Sequence, residues 1–388
     1  MAGASEPVAG PSVAIIGGGL AGLCAARLLH AAGIGFRLSE ARDRLGGRIL
    51  SADADGRASA DGFDLGPSWF WPDMQPALGS LVEELGLARF AQNNGGDVLL
   101  DRIPHGQPRR YPGMPQEPRS MRLVGGMDAL VRALAKGLPG RDLRLGARVA
   151  GLALGEAEVT LRIARSDGGE DLLKAEQVVA AVPPRLLLAT VEFAPSLPLA
   201  VAGRWRDAAT WMAPHAKFFA LYDRPFWREA GLSGTAQSAV GPLAEIHDAT
   251  TASGAAALFG FLGIGTDRRE EMGQAALTRA CLEQLVRLFG PEAGKPSGTL
   301  FKDWAADAWT AAADDRNPTG HPLPTARPWT AAPWRGRLVL AGSETSETAP
   351  GYLAGAVDAA QHAVAEVTKR LTASADLGRS TIIQERAE

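Results

Sequence analysis

A chain of 388 residues exceeds what one simple core organises and predicts two domains. Hydrophobic residues at 46% and charged residues at 21% exclude a disordered or fibrous chain. A net charge of −3 without a lysine or arginine run argues against a nucleic-acid partner, and the lack of a long apolar window argues against a membrane span.

Residues 1–12 are small, polar and proline-bearing, and read as a loose start without the features of a signal peptide. Cys24 and Cys281 fall in apolar helical patterns, which gives neither a disulfide framework nor a zinc spacing and favours a reducing, cytoplasmic setting. The six histidines show no metal spacing, so no metal site is expected.

The run Val13-Ala14-Ile15-Ile16 reads as a buried strand that enters the turn Gly17-Gly18-Gly19-Leu20-Ala21-Gly22 and then a helix to about Leu29. Gly17, Gly19 and Gly22 stand at the G-x-G-x-x-G spacing. The first permits the tight turn, the second a close backbone approach to a pyrophosphate, and the third close packing of helix on strand. The helix N-terminus, with Leu20 and Ala21 in its first turn, offers N–H groups to phosphate oxygens. A second strand over 35–39 ends at Glu40, 18 residues beyond Gly22, near the separation expected of a ribose-binding acid. Strand, turn, helix, strand and acid together predict a Rossmann-type α/β dinucleotide-binding domain.

Next comes Ala41-Arg42-Asp43-Arg44-Leu45-Gly46-Gly47-Arg48, whose glycines and arginines suit a loop over a diphosphate; alone it would read as a solvated turn. Asp64-Leu65-Gly66-Pro67-Ser68-Trp69 reads as a strand entering a glycine–proline turn.

The glycine fingerprint, Glu40, the Arg44–Arg48 loop and the 64–69 turn resemble the flavin-containing amine oxidases, the family of monoamine, polyamine and L-amino-acid oxidases. The resemblance implies FAD as the dinucleotide. It implies Glu40 at the adenosine ribose, Arg48 at the diphosphate, Arg42 and Gly47 as further cofactor-binding residues, and Gly66, Pro67 and Ser68 near the isoalloxazine.

Further along, a helix is expected from Pro76 to about Gln92, loops and short strands over 93–120, and a helix restarting at Gly125-Gly126-Met127. Strands follow near Val149, over 159–163 and over 177–182. By resemblance the backbone of Val149 meets the adenine. Lys217 opens an alternating strand and stands nine residues before Phe226, the spacing at which the family's lysine holds a water beside flavin N5. A surface lysine is the other reading of Lys217. A strand over 255–263 and a long helix over 267–290 follow.

The strand 337–341 leads into Gly342, Ser343, Glu344 and Thr345, then a last helix from Leu353 to about Thr372. In the family this helix N-terminus points at the flavin pyrimidine, with the Leu353 N–H near O2 and Glu344 at the ribityl–phosphate region. Tyr352 matches one tyrosine of the aromatic pair that sandwiches an amine. Its partner is missing: Ala313 and Asp314 occupy the positions of the family's linking cysteine and second tyrosine. FAD is therefore expected to be non-covalent. Trp304, Trp309 and Trp329 are candidates for the missing face, Trp69 is a further expected substrate-binding residue, and Asp314 either pairs with a cationic amine or faces solvent.

The expected organisation is a FAD-binding domain over 1–72, 120–200 and 305–375, a discontinuous α+β substrate domain over 73–119 and 201–304, and a flexible tail over 376–388. The expected activity is oxidation of an amine or amino acid to an imine, with dioxygen as acceptor and hydrogen peroxide as product. A desaturase or dehydrogenase on the same fold and a non-catalytic FAD-binding protein are the alternatives. A homodimer is compatible with the sequence.

Overall fold

The computed structural model describes residues 11–165, 167–316 and 320–385, with side chains described only as far as residue 374. Residues 1–10 of the start read as loose, and 386–388 of the expected tail, lie outside the described residues. By contact the chain forms two units, Met1–Gly47, Leu134–Ala209 and Pro322–Glu388 in one, and Arg48–Ala133 and Thr210–His321 in the other. Relative to the expected ranges, 48–72, 120–133 and 305–321 fall in the second unit and 201–209 in the first.

In the first unit, five parallel strands lie in the order Leu338–Leu340, Gln177–Ala180, Val13–Ile16, Phe36–Ser39 and Leu143–Arg144. Val13–Ile16 is buried throughout because both sheet faces are covered. Ala14, Ile16, Val178, Ala180, Leu338 and Leu340 share one core with Val149, Leu161 and Ile163 of a four-stranded sheet. The helices Leu20–Ala31 and Leu353–Glu385 pack on each other and on the parallel strands. The last helix thus runs well past Thr372, into the stretch read as a loose tail. No proline interrupts 353–385, so composition alone did not mark its end. Trp329, a candidate for the amine cage, is instead a core residue here, with the Arg204 guanidinium 4.1 Å from its ring centre and its carbonyl accepting from Trp205 Nε1 at 2.8 Å.

The second unit is built on a seven-stranded sheet, in the order Gly298–Asp303, Ala216–Tyr222, Ala256–Leu262, Leu243–Asp248, Leu232–Ser238, Asp97–Asp101 and Arg109–Tyr111. Alternation divides its side chains between two faces. Phe218, Ala220, Leu258 and Leu262 share a core with Leu277, Cys281, Leu285 and Leu288 of the helix Thr266–Phe289. Phe219, Leu221, Ala257 and Phe259 pack instead with Phe63 and Leu65. The segment 63–69 therefore lies on the face that also carries Lys217.

Glycines set the helix ends. The helix expected to reach Gln92 spans only Pro76–Glu84, because Gly86, at φ 65°, turns the chain into the strand Arg89–Ala91. Gly273, at φ 73°, kinks Thr266–Phe289, and Gly290, at φ 93°, ends it.

Candidate active site

The glycine turn separates into two kinds of glycine. A Cβ at Gly22 would sit 1.9 Å from the Gly17 carbonyl oxygen, and Gly17 itself holds φ 100°, so the protein's own packing requires both. Gly19 differs. Its φ is −73°, and a Cβ there would meet nothing closer than Gly47 Cα at 3.9 Å. Among the described residues nothing excludes a side chain at Gly19, so a glycine there leaves room for a ligand. The helix beginning at Leu20 carries no side-chain cap and no acid in its first turn, which suits an anion at its N-terminus. These features fit a dinucleotide pyrophosphate.

Glu40 is buried, and its carboxylate is fixed from two sides. Oε2 accepts from Gly18 N at 2.6 Å and Oε1 from Arg42 N at 2.8 Å. Gly46 N donates to Gly18 O at 2.8 Å, so the 41–47 loop is tied to the glycine turn. Val149 lies where the register of its strand shifts, and Ala150 has no rung between Val149 and Gly151. Gly342 is required, since a Cβ there would meet Val182 O at 2.5 Å. Thr345 Oγ1 donates back to Gly342 O at 2.8 Å, and Glu344 is buried with Ser343 Oγ 3.1 Å from Oε2. Tyr352 is 38% exposed at the start of the last helix, next to half-buried Leu353.

In the second unit, Lys217 is a buried strand residue and not a surface lysine. Its Nζ donates to Gly66 O at 2.5 Å, Ser68 Oγ at 2.8 Å and Asp64 O at 3.1 Å. Three acceptors match the three donors of an ammonium. The rings of Phe259 and Phe261 lie 4.6 and 5.0 Å from Nζ. Gly66 is required, because a Cβ would fall 1.9 Å from Arg48 O. Half-buried Pro67 lies between these two anchors. Arg48 Nη1 donates to Trp211 O at 3.0 Å.

Burial pushes the Lys217 pKa down to about 7, Asp64 opposing the shift and Arg122 adding to it. Burial likewise raises the Asp64 carboxyl, against the opposing pull of Arg122, Ser51, the Met127 N–H and Lys217. Asp64 Oδ1 accepts from Ser51 Oγ at 2.6 Å and Met127 N at 2.8 Å, while buried Oδ2 makes no hydrogen bond among the described residues.

Trp69 donates from Nε1 to Gln92 Oε1 at 2.8 Å and meets His247, Phe259 and Phe261 ring to ring. Trp304 is buried, with Nε1 on Leu65 O at 2.9 Å and Lys302 Nζ 4.4 Å from its ring centre. Asp314 lies exposed on the turn Ala313–Asp315. The buried acid there is Asp315, which accepts from Thr210 N and Ala312 N. Asp64, Phe259, Phe261, Glu245 and His247 also belong to this cluster. Phe259 and Phe261 fall in the strand expected over 255–263, the sequence marks no strand over 243–248, and the alignment of both pairs with Lys217 depends on strand pairing.

Among the described residues no group of histidines, cysteines and acids could hold a metal, and no helix is long and apolar enough to cross a membrane. The parallel sheet, the glycine turn and the buried acid after the second strand define a Rossmann-type dinucleotide-binding protein. Residues 15–85 match the NAD(P)-binding Rossmann-like domain, and 114–368 match the flavin-containing amine oxidoreductases. The chain belongs to the flavin-containing amine oxidoreductase family, and its dinucleotide is FAD.

It is 28% identical to the putrescine oxidase of Kocuria rosea, over 80% of this chain and 85% of that one. A probable flavin-containing monoamine oxidase A of Dictyostelium discoideum is 27% identical over 78% of this chain, and the match spans 63% of that protein's length. The fold is similar to that of cyclohexylamine oxidase from Brevibacterium oxydans, with a TM-score of 0.76 at 22% identity over 94% of this chain and all of that one.

Two predictions follow from this geometry. Gly19→Ala should fold normally by far-UV circular dichroism yet purify with little flavin, whereas Gly22→Ala should lose fold and flavin together. Full flavin occupancy in Gly19→Ala would refute a ligand at that position. For Lys217, the folded protein binds fewer protons than the unfolded chain between about pH 7 and 10.5, so stability rises with pH across that window and the cost of the buried charge is complete below it. Denaturant titrations of wild type and Lys217→Met should therefore diverge in favour of wild type as pH rises through the window. A difference independent of pH would mean that Lys217 stays charged.

Proposed function

We propose that this protein is a cytoplasmic amine oxidase, converting the C–N bond of an amine to an imine with dioxygen as acceptor and hydrogen peroxide as product. The observation that carries this reading is the buried Lys217, held on the 64–68 turn by three oxygens inside a wall of aromatic rings. When bound, FAD supplies a two-electron acceptor for a hydride from the substrate α-carbon and a route for those electrons to dioxygen.

The residues proposed to hold the cofactor are, in the first unit, Gly17, Gly19, Leu20, Ala21, Gly22, Glu40, Arg42, Gly47, Val149, Gly342, Glu344, Thr345 and Leu353. In the second unit they are Arg48, Gly66, Pro67 and Ser68. Glu40 would take ribose hydroxyls on lone pairs not used by Gly18 and Arg42. Tyr352, Trp69 and Trp304 are proposed to border the substrate. Asp314, being exposed, is the weakest of the substrate candidates.

Lys217 is proposed to move a proton. With its pKa near 7, the neutral amine is accessible at working pH. Losing the proton removes one donor, and the Ser68 hydroxyl can then donate to the lone pair of Nζ. An aromatic wall around a neutral amine also excludes water from the reacting atoms.

Rapid-mixing absorbance of Lys217→Met should show flavin reduction or reoxidation slowed by on the order of a hundredfold, the usual size of a lost acid–base group. Rates equal to wild type would overturn the assignment. FAD is proposed to be held without a covalent bond, since Ala313 replaces the family's linking cysteine, and Cys24 and Cys281 are both buried. Acid precipitation should leave the yellow colour in the supernatant; a coloured pellet would show a covalent link.

A further inference from the structure

Asp64 is buried at the start of the 64–69 turn, and its carboxylate is hydrogen-bonded through one oxygen only. Oδ1 accepts from Ser51 Oγ at 2.6 Å and from Met127 N at 2.8 Å. Ser51 Oγ accepts in turn from Asp128 N at 3.1 Å, so its single proton is directed at Asp64. Gly126 makes room for this arrangement, since a Cβ there would meet Ser51 Oγ at 2.5 Å and Asp64 Oδ1 at 3.0 Å. Oδ2 makes no hydrogen bond among the described residues. An asparagine could serve the same two donors through its carbonyl oxygen, with its amide nitrogen in the place of Oδ2. What the aspartate adds at this position is a negative charge.

That charge lies among cations. Lys217 Nζ donates to the Asp64 carbonyl at 3.1 Å and feels the Asp64 carboxylate. Arg122 is buried, 5.2 Å from the Phe90 ring centre, and its Nη1 and Nη2 donate to the carbonyls of Thr250 and Ala249. Its charge is attracted by both Asp64 and Asp248. Asp248 is a different kind of acid. Its Oδ2 accepts from Trp227 Nε1, Arg228 Nε and Asn93 Nδ2, and its Oδ1 from Thr250 N. Charges therefore alternate from Lys217 through Asp64, Arg122 and Asp248 to exposed Arg228. Two carboxylates offset two guanidiniums, so a neutral Lys217 leaves this series uncharged and a protonated one leaves a single positive charge in excess. The ionisable groups on the surrounding elements have partners of their own: Lys302 with Asp307 at 2.9 Å, Glu245 with His247 at 2.7 Å and Asp128 with Arg132 at 2.7 Å. Arg48, whose carbonyl abuts Gly66, donates from Nη1 to Trp211 O.

We propose that Asp64 is a positioning residue for the reaction: its carboxylate lets Lys217 hold the proton that the reaction requires it to release, and Arg122 limits how firmly. This inference rests on the proposed amine oxidation. Desolvation alone would keep a buried lysine neutral, and a lysine that is always neutral has no proton to give. A carboxylate committed wholly to the lysine would do the reverse and hold the proton in place. Asp64 lies between these limits, because Arg122 draws on the same charge.

The test uses the FAD-loaded protein under anaerobic conditions and follows flavin bleaching by saturating putrescine, cyclohexylamine or benzylamine as a function of pH. Wild type, Asp64→Asn and Arg122→Met are compared, so the ionisation of the amine itself is common to all three. Asp64→Asn should weaken proton binding at the midpoint of the profile on the order of tenfold, a shift of about one unit to lower pH. Arg122→Met should move the midpoint to higher pH, and general damage to the fold does not produce opposite shifts. A second readout needs no amine. In denaturant titrations of each protein against its own Lys217→Met version, the lower edge of the window in which stability rises with pH, about 7 in wild type, should fall in Asp64→Asn. An edge and a midpoint both unmoved in Asp64→Asn would mean that the Asp64 carboxyl is itself neutral in the folded protein, and would overturn the proposal. If Asp64→Asn does not fold, an unmoved midpoint in Arg122→Met overturns it alone. A shifted stability window with no bleaching of wild type by any amine would overturn amine oxidation, and the role of Asp64 in it, while leaving the coupling of Asp64 to Lys217.

Discussion

The ammonium of Lys217 and the three oxygens it binds form the interaction on which the candidate site depends. A lysine inside a fully buried strand is costly unless its charge is compensated. Here the compensation comes from backbone carbonyls of Asp64 and Gly66 and the hydroxyl of Ser68, all from one turn. Holding the lysine thus holds the turn, and the turn needs Gly66 because no side chain fits against Arg48 O. Asp64, one of whose carboxylate oxygens makes no hydrogen bond among the described residues, balances the charge from within the same buried cluster. The same desolvation that makes the arrangement expensive brings the lysine's proton within reach of neutral pH.

The first unit solves a different problem with glycine. Gly17, Gly22 and Gly342 are glycines because the protein would collide with itself otherwise. Gly19 is a glycine although the protein has space to spare, and that contrast separates a packing requirement from a binding one. Glu40 adds direction: two backbone N–H groups aim a buried carboxylate, so its remaining lone pairs have a fixed orientation.

Much of this was legible in the sequence, and the reasons are local. The strand, glycine turn, helix and acid of 13–40 carry their spacing within one short segment. Lys217 was legible by its distance to Phe226, although only the fold distinguishes a buried lysine from a surface one. What the sequence hid depends on pairing over long separations. The sequence marks no strand over 243–248, and Phe259 and Phe261 read only as members of a buried strand over 255–263. Their alignment with Lys217 follows from antiparallel registers that no local pattern specifies. Asp314 and Asp315 show what position alone leaves out: the first is exposed on its turn, and the second is buried and accepts from Thr210 N and Ala312 N. The helix at Pro76–Glu84 was overextended because apolar spacing continues past Gly86, whose left-handed backbone stops the helix.

The pairing that sets Lys217 and Glu245 on either side of Phe261 also constrains how such a protein can change over evolutionary time. A strand repeats every two residues, so inserting or deleting one residue within Leu243–Asp248 would turn Glu245 and His247 away from the Lys217 face and toward the helix Thr266–Phe289. Length changes between Glu245 and Asp248 are therefore closed off, whereas the register shift between Leu243 and Glu245 already absorbs one extra residue. Substitution remains open at Glu245 and His247, which lie on the Lys217 face, while Leu243, beyond the shift, enters the core on the other side. Divergence among descendants of this chain should accordingly accumulate as swaps at Glu245 and His247, with the length of that part of the strand held constant.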